Sequence, residues 1–200
     1  GYRFLSKAKK TIELNNLKNI IITHSPDEVD FTMVLGANED KLNLAQHKVI
    51  SSSICDATAI GPILRTIQNH LGIDSGQLTT MHPWLSYQNL MDGPASSWNV
   101  PGEIYHHYAL GRSSVGNMIP KPTSALDATS RVVDKVDREN FGSYSMRVPT
   151  NIVGSADVTI LLKSETTKEE ILRAFQEEEK FQKWDIIKNN LEPLISCDFK

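Results

Sequence analysis

Cys55 and His82 are the two side chains whose types and positions could carry chemistry together. Cys55 follows a predicted strand over 48–52 and opens a predicted helix, where unpaired N–H groups and the helix dipole favour a thiolate. His82 ends the strand predicted after this helix. A strand–helix–strand unit returns the chain to one edge of its sheet, and a nucleophilic thiolate works with a partner base. The spacing alone also allows an inert buried cysteine and an unrelated histidine.

The elements that must position this pair follow from hydrophobic patterning. Apolar and β-branched runs predict strands at 17–22, 31–35, 48–52, 76–82, 145–150, 152–162 and 194–199. Apolar residues at helical spacing from Cys55 to Leu71 predict a helix that ends at Gly72. A capping box at 166–169 predicts the start of another helix, which runs to about Glu179. In the last strand, Cys197 is expected to be an inert core thiol.

Composition and charge exclude several classes of protein. The chain has 200 residues, of which 40% are hydrophobic and 22% are charged, and its net charge is -3. Basic and acidic residues are interspersed, which argues against nucleic acid or an acidic membrane as the main partner. No apolar run approaches a membrane span, no secretory signal is visible, and two cysteines are too few for a disulfide framework or a zinc site. These features predict a cytoplasmic protein.

The stretch from Asn89 to Lys121 differs from the rest of the chain, because it holds four glycines and three prolines. A loop of this length inside a compact domain is uncommon and usually functional. It also carries a cluster of aromatic and histidine side chains: Trp98, Tyr105, His106, His107 and Tyr108. The two histidines lack further ligands at metal-binding spacing, so we expect no metal there. The aromatic content predicts an ordered loop that contacts another subunit or domain.

Several segments, in order along the whole chain, resemble the glyceraldehyde-3-phosphate dehydrogenase family. The segment Ser51–Pro62 around Cys55 resembles the nucleophile segment S-N-A-S-C-T-T-N-C-L-A-P of that family, and Leu78–His82 resembles its T-T-V-H strand. Further matching landmarks are Val34–Asn38, Asp92–Pro94, Gly111–Arg112, Asn117–Pro120, Arg147–Thr150 and Glu192–Phe199. Several motifs in the family's order are more specific than any one of them.

The resemblance implies an α+β fold with a mixed, mostly antiparallel sheet and helices packed on one face. It implies that residues 1–200 form a single catalytic domain, a fragment of a longer enzyme, with the long loop at about 89–121. The family binds NAD or NADP on a glycine-rich Rossmann unit, and no G-x-G-x-x-G occurs here. The cofactor would therefore be bound mainly outside this chain, and the full enzyme would be a homo-oligomer, a tetramer.

The resemblance also implies a reaction. The Cys55 thiolate would attack a small phosphorylated aldehyde, and His82 would take the hydroxyl proton as hydride leaves for the nicotinamide. Inorganic phosphate would then release the thioester as an acyl phosphate, as in glycolysis. An isolated chain of this length would be inactive, because the nicotinamide has no binding unit on it.

Four further residues stand at or beside positions that bind substrate or phosphate in the family. Arg147 matches the arginine between two anion sites, a task that suits a bidentate guanidinium. Thr123 matches the threonine that helps to hold the attacking phosphate, and Ser124 replaces the glycine that follows it. Arg112 matches a loop arginine near the substrate. For either arginine, a structural ion pair is the alternative.

The chain departs from the family pattern around both anion sites. Ile54 and Asp56 flank Cys55 where the family has hydroxyl side chains, and Leu85 replaces a threonine that binds the substrate phosphate. An ionised Asp56 would repel phosphate, although an acid also suits the first turn of a helix. The departures predict an altered acceptor or substrate. The alternatives are oxidation of erythrose 4-phosphate, water as the acyl acceptor, or a catalytically retired relative that acts as a binding or regulatory module.

Overall fold

The computed structural model describes residues 5–23, 26, 28–52, 55–86, 88–93 and 111–199. The helices are α1 (Leu5–Leu14), α2 (Cys55–His70), α3 (Ala125–Thr129) and α4 (Lys168–Phe181), with short 3-10 turns at Glu39–Lys41 and Ser196–Asp198. The strands are β1 (Ile20–Ile22), β2 (Phe31–Thr32), β3 (Val49–Ser51), β4 (Ile73–Pro83), β5 (Ile119–Pro120), β6 (Phe141–Val148) and β7 (Ser155–Leu162).

The strands form two sheets. A three-stranded sheet has the order β1-β3-β2, and both of its pairings are parallel. A four-stranded sheet has the order β5-β6-β4-β7, and β5 is antiparallel to β6. The α+β class with a mixed sheet is thus confirmed. Among the described residues, no helix has both the length and the apolar character that crossing a membrane requires.

The chain divides into two compact units. The first comprises residues 1–76, 124–142 and 160–190, and the second comprises residues 77–123, 143–159 and 191–200. In the first unit, α1 packs through Ala8 against Ile22 of β1 and Val49 of β3. The side chain of Ala8 is small enough to bring the helix close to the parallel sheet, and all three residues are buried.

Helix α2 lies in the first unit and is held on its buried face by Ile60, Leu64 and a close approach at Gly61. A Cβ atom at Gly61 would come within 3.3 Å of the Cβ of Ala37, so glycine sets how near the helix lies to this turn. Gly72 has φ +72° and its N–H donates to the Ile67 carbonyl over 3.1 Å. The predicted end of this helix at Gly72 is therefore confirmed.

Other elements differ from the sequence-based expectation. Helix α1 was not predicted, and the strand expected over 31–35 is only Phe31–Thr32. The capping box is formed by Thr167 and Glu170, one residue later than predicted. The predicted final strand is wrong, because Ser196–Asp198 forms a 3-10 turn. Cys197 is exposed there, so it is not a core thiol.

Candidate active site

Cys55 is the first residue of α2 and is exposed as a free thiol. The helix is 16 residues long, so its N-terminal dipole is fully developed at this position. Asp56, the next residue, is half-buried, and Ala57 is buried against Ala128 of α3. Ile54, the preceding residue, lies outside the described residues. The helix N-terminus thus presents the sulfur to solvent while the following turn is anchored in the core.

Ser124 lies in the same unit as Cys55, at the N-cap of α3. Its side chain makes no capping hydrogen bond, whereas its carbonyl accepts the N–H of Ala128 over 3.0 Å. The hydroxyl is exposed. It is consequently not required for the helix start.

His82 lies in the second unit, in β4, and its ring is half-buried. Its Nε2 atom is 3.2 Å from Thr80 Oγ1, and Thr80 Oγ1 is 2.9 Å from Ser145 Oγ on β6. Residues two apart on a strand point to the same face, so Thr80 and His82 share one face of β4. Thr80 is 4% exposed and Ser145 is 0% exposed. The imidazole therefore rests on a buried pair of hydroxyl groups, which the sequence analysis did not identify.

Arg147 lies on β6 two residues beyond Ser145, on the same face of that strand. Its Nη1 atom donates to the carbonyl of Pro83 over 3.0 Å, one residue beyond His82. The guanidinium is half-buried, so one of its donors positions the end of β4. Arg147 and His82 thus meet on one face of the second unit.

Lys121 and Thr123 follow β5. The register pairs Ile119 with Arg147, and the Lys121 N–H donates to the Ser145 carbonyl over 3.0 Å. Directly opposed residues project to the same face, so Lys121 adds a second cation to the face that carries Arg147. Thr123 is half-buried two residues further along. Sequence reasoning missed Lys121, and only the strand register identifies it.

The turn after β4 is closed by Gln88. The Leu85 N–H donates to Gln88 Oε1 over 2.7 Å, and the Gln88 N–H donates to the Leu85 carbonyl over 3.0 Å. Gln88 is 6% exposed, and its Nε2 atom has no acceptor among the described residues, which omit Tyr87. Leu85 is 38% exposed, so an apolar side chain faces solvent where the family pattern has a hydroxyl.

Arg112 is tied to the base of the long loop. Its Nε atom donates to Asp92 Oδ1 over 3.1 Å, and the Ser113 N–H donates to the same oxygen over 2.8 Å. The hydrogen bond from Arg112, followed by that from Ser113, holds the pKa of Asp92 below its ordinary value. This geometry favours the structural ion pair as the role of Arg112.

A network of hydrogen bonds, here called the loop neck, joins residues 89–93 to residues 111–114. The Gly93 N–H donates to the Gly111 carbonyl over 2.8 Å, and the Ser114 N–H donates to the Asn89 carbonyl over 2.9 Å. The predicted cluster from Trp98 to Tyr108 lies outside the described residues. Within the described ranges, no group of three or more His, Cys, Asp or Glu side chains could hold a metal ion.

The predicted site residues are divided between the two units. Cys55 and Ser124 belong to the first unit, whereas His82, Arg147, Thr123 and Arg112 belong to the second. Their assembly into one active site therefore remains a prediction.

Comparison with known proteins identifies relatives along almost the whole chain. Residues 54–200 match the family described as "Glyceraldehyde 3-phosphate dehydrogenase, C-terminal domain". The chain is 32% identical over 182 residues to glyceraldehyde-3-phosphate dehydrogenase 1 of Bacillus subtilis, covering 91% of this chain and 51% of that protein. It is 32% identical over 192 residues to the Priestia megaterium enzyme, covering 96% of this chain and 54% of the relative. It is 30% identical over 197 residues to the cytosolic enzyme of Chlamydomonas reinhardtii, covering 98% and 54%. The chain therefore spans about half the length of these relatives.

Proposed function

Because the chain belongs to the glyceraldehyde-3-phosphate dehydrogenase family through its C-terminal domain, we propose that it is the catalytic half of an aldehyde-oxidising enzyme. The substrate would be a small phosphorylated aldehyde, and inorganic phosphate would be the acyl acceptor. The enzyme would be NAD(P)-dependent, homo-oligomeric and cytoplasmic, and residues 1–200 would act as one catalytic domain within it.

The observation that carries this proposal is the position of Cys55, an exposed thiol at the first residue of a 16-residue helix. Partial positive charge at a helix N-terminus stabilises a thiolate, which is the nucleophilic form. In the proposed reaction the Cys55 sulfur bonds to the aldehyde carbon, and His82 takes the proton of the resulting hydroxyl. Loss of hydride from that carbon leaves a thioester on Cys55, and phosphate attack restores the thiolate.

NAD or NADP supplies the acceptor for that hydride when it is bound. The sequence holds no G-x-G-x-x-G motif, so the parallel strands within the described residues are followed by no glycine-rich dinucleotide cradle. The cofactor would be held mainly by protein outside this chain. The part of this chain is to supply the nucleophile, the base and the cations for phosphate.

The anion-binding role falls to the face of the second unit that carries Arg147. Arg147 would bind phosphate through the guanidinium donors that the bond to Pro83 leaves over, and Lys121 adds a second charge on the same face. Thr123 and Ser124 would supply hydroxyl donors, and Arg112 would act only through the loop neck. Since Leu85 removes one family hydroxyl and Lys121 adds a cation, the substrate would be held by charge more than by neutral hydrogen bonds.

Two alternatives to this function are each supported by specific residues. Asp56 beside the nucleophile disfavours an incoming phosphate, which supports erythrose 4-phosphate as substrate or water as acyl acceptor. The departures from the family pattern at Leu85 and Asp56 support the second alternative, a catalytically retired relative that acts as a binding or regulatory module. A retired site does not need an activated thiol, whereas either form of acyl transfer does.

The experiment is the pH profile of iodoacetamide alkylation in the intact protein, read by mass spectrometry for both cysteines. Cys197 is exposed and serves as an internal control. We expect Cys55 to be alkylated faster than Cys197 across the profile, and His82→Gln to remove that advantage. Cys197 should be unchanged in both proteins. Equal profiles for the two cysteines would contradict the proposal.

Turnover tests the choice of acceptor. In the intact protein, reduction of NAD or NADP with glyceraldehyde 3-phosphate should require inorganic phosphate. Oxidation at the same rate without phosphate would support water as the acceptor. If Cys55 is activated but neither glyceraldehyde 3-phosphate nor erythrose 4-phosphate is turned over, both aldehydes are rejected as substrates.

A further inference from the structure

The buried hydroxyl groups of Thr80 and Ser145 have no role in the reaction as described so far. Thr80 contacts the ring of His82 from inside the sheet, Ser145 contacts Thr80, and both hydroxyl residues are buried. We propose that Thr80 and Ser145 are positioning residues: Thr80 accepts a hydrogen bond from His82 Nε2–H and donates its own proton to Ser145, which stabilises the protonated ring. This inference rests on the proposed function, in which His82 gains a proton.

The direction of the bonds follows from counting protons. A threonine hydroxyl has one proton and two lone pairs. We assign Thr80 Oγ1 as donor and Ser145 Oγ as acceptor in the 2.9 Å contact between the two hydroxyl groups. With its proton assigned in this way, Thr80 offers only a lone pair to the imidazole. A protonated imidazole can only donate, so in that form the ring donates the 3.2 Å hydrogen bond from Nε2 to Thr80 Oγ1.

Burial gives this arrangement its strength. Thr80 is 4% exposed and Ser145 is 0% exposed, so water does not compete for either oxygen. A protonated imidazole donates at both nitrogens, and hydrogen bonds to a charged group are stronger than those between neutral groups. The pair thus serves the base as an orienting group serves the histidine of a catalytic triad, but it carries no charge of its own.

The charged side chains on this sheet show why such support matters. Within the second unit, the described strands and their flanks carry two cations, Arg147 on β6 and Lys121 after β5, and one anion, the exposed Asp157 on β7. These two cations disfavour a third positive charge on His82, and the proposed function needs them to bind phosphate. Neutral acceptors under the ring favour its protonation without neutralising those cations.

The test is NMR titration of the intact protein labelled with 13C at the histidine Cε1 positions. The His82 resonance is assigned as the peak that His82→Gln removes. Thr80→Val keeps the shape of the side chain but removes the acceptor, and it should lower the pH midpoint of His82 by about 0.5–1 pH unit. Thr80→Ser keeps the hydroxyl and should restore the midpoint.

Ser145→Ala provides a second and independent variant. Without Ser145 Oγ, the Thr80 proton is released and can turn towards the ring, which favours the neutral imidazole, so the midpoint should again fall. Thr79→Val, on the opposite face of β4, and Ser143→Ala, two residues before Ser145, are matched controls that should leave it unchanged. If Thr80→Val does not fold, Ser145→Ala decides alone. An unchanged or raised midpoint in Ser145→Ala would overturn the proposal.

This measurement needs neither substrate nor cofactor, so its result is separate from that of the alkylation experiment. A midpoint that falls in both variants while Cys55 reacts like Cys197 would leave the hydroxyl pair supported and the proposed reaction rejected. If the reactivity of Cys55 depends on His82 while the pH midpoint of His82 stays unchanged in both variants, the proposed reaction is supported and the role of the hydroxyl pair is rejected.

Discussion

Asp56 places a carboxylate beside the thiol that the proposed reaction needs ionised, and its charge can be removed without changing its shape. Asp56→Asn should make Cys55 alkylate at lower pH while weakening helix α2. The variant should therefore raise the reactivity of Cys55 and lower the stability of the helix, so the two effects can be measured separately in one protein.

The magnitude follows from the position of both residues at the start of α2. Adjacent Cα atoms are about 3.8 Å apart and consecutive helical side chains diverge, so the two charges lie on the order of 7 Å apart. Coulomb repulsion at that separation is roughly 0.6 kcal/mol in a water-like dielectric and about 2.4 kcal/mol at an effective dielectric of 20. Because Cys55 is exposed, a value near 1 kcal/mol is expected. This corresponds to about a fivefold increase in the rate of Cys55 alkylation at a fixed pH.

The helix should respond in the other direction. A carboxylate in the first turn stabilises a helix by about 0.3–1 kcal/mol, so Asp56→Asn should lower the free energy of unfolding by that amount. Urea denaturation followed by circular dichroism measures this change. Glu169→Gln, in the first turn of α4, removes an equal charge and should lower stability similarly without moving the Cys55 curve.

The dependence of the Cys55 alkylation curve on ionic strength tests the electrostatic argument. The repulsion acts between solvent-accessible groups, so the shift should be largest near 0.01 M ionic strength and should largely disappear near 1 M. A Cys55 curve that does not move at low ionic strength in Asp56→Asn would refute the electrostatic argument. An equal shift in Glu169→Gln would assign it to net charge instead.

Three further predictions concern the framework. The pKa of Asp92 is lowered mainly by Arg112, so the loop neck should be held at pH values above the ordinary pKa of 3.8 and released as pH falls below it. The protection of the neck amides, corrected for the pH dependence of intrinsic exchange, measures this, and Asp92→Asn should remove the loss of protection at low pH. Thr167→Ala removes the capping box of α4 and should cost about 1 kcal/mol in denaturant unfolding, whereas an equal loss in Thr166→Ala would contradict the assignment. Gly72→Ala places a Cβ at φ +72° and should cost about 1–2 kcal/mol; unchanged stability would mean that the turn relaxes without strain.

The elements predicted best from the sequence are those with a long hydrophobic pattern and a clear terminating residue. Helix α2 shows a continuous apolar stripe followed by Gly72, and both features lie close together along the chain. Helix α1 buries only Ala8, so its pattern is too weak to distinguish it from a polar segment. The apolar alternation around Cys197 resembles a strand, but in the structure these residues form a 3-10 turn instead of joining a sheet.

For the candidate site, the family motif predicts Cys55, His82 and Arg147, because each lies in a recognisable segment. The supporting residues depend on strand register. Ser145 reaches Thr80 across 65 positions of sequence, and no local pattern reports such a pairing. The T-T-M-H segment did contain one usable signal, since period-two alternation places Thr80 on the face of His82.

The loop neck places the N–H of Gly93 2.8 Å from the carbonyl of Gly111, so the chain returns almost to the point at which it left the neck. This hydrogen bond holds together the two ends of the connection formed by residues 94–110. A four-residue linker in their place would shorten the closed loop by about two doublings, which lowers its closure cost by roughly 1 kcal/mol. A change in the length of the connection between the paired ends thus alters the closure cost only slightly.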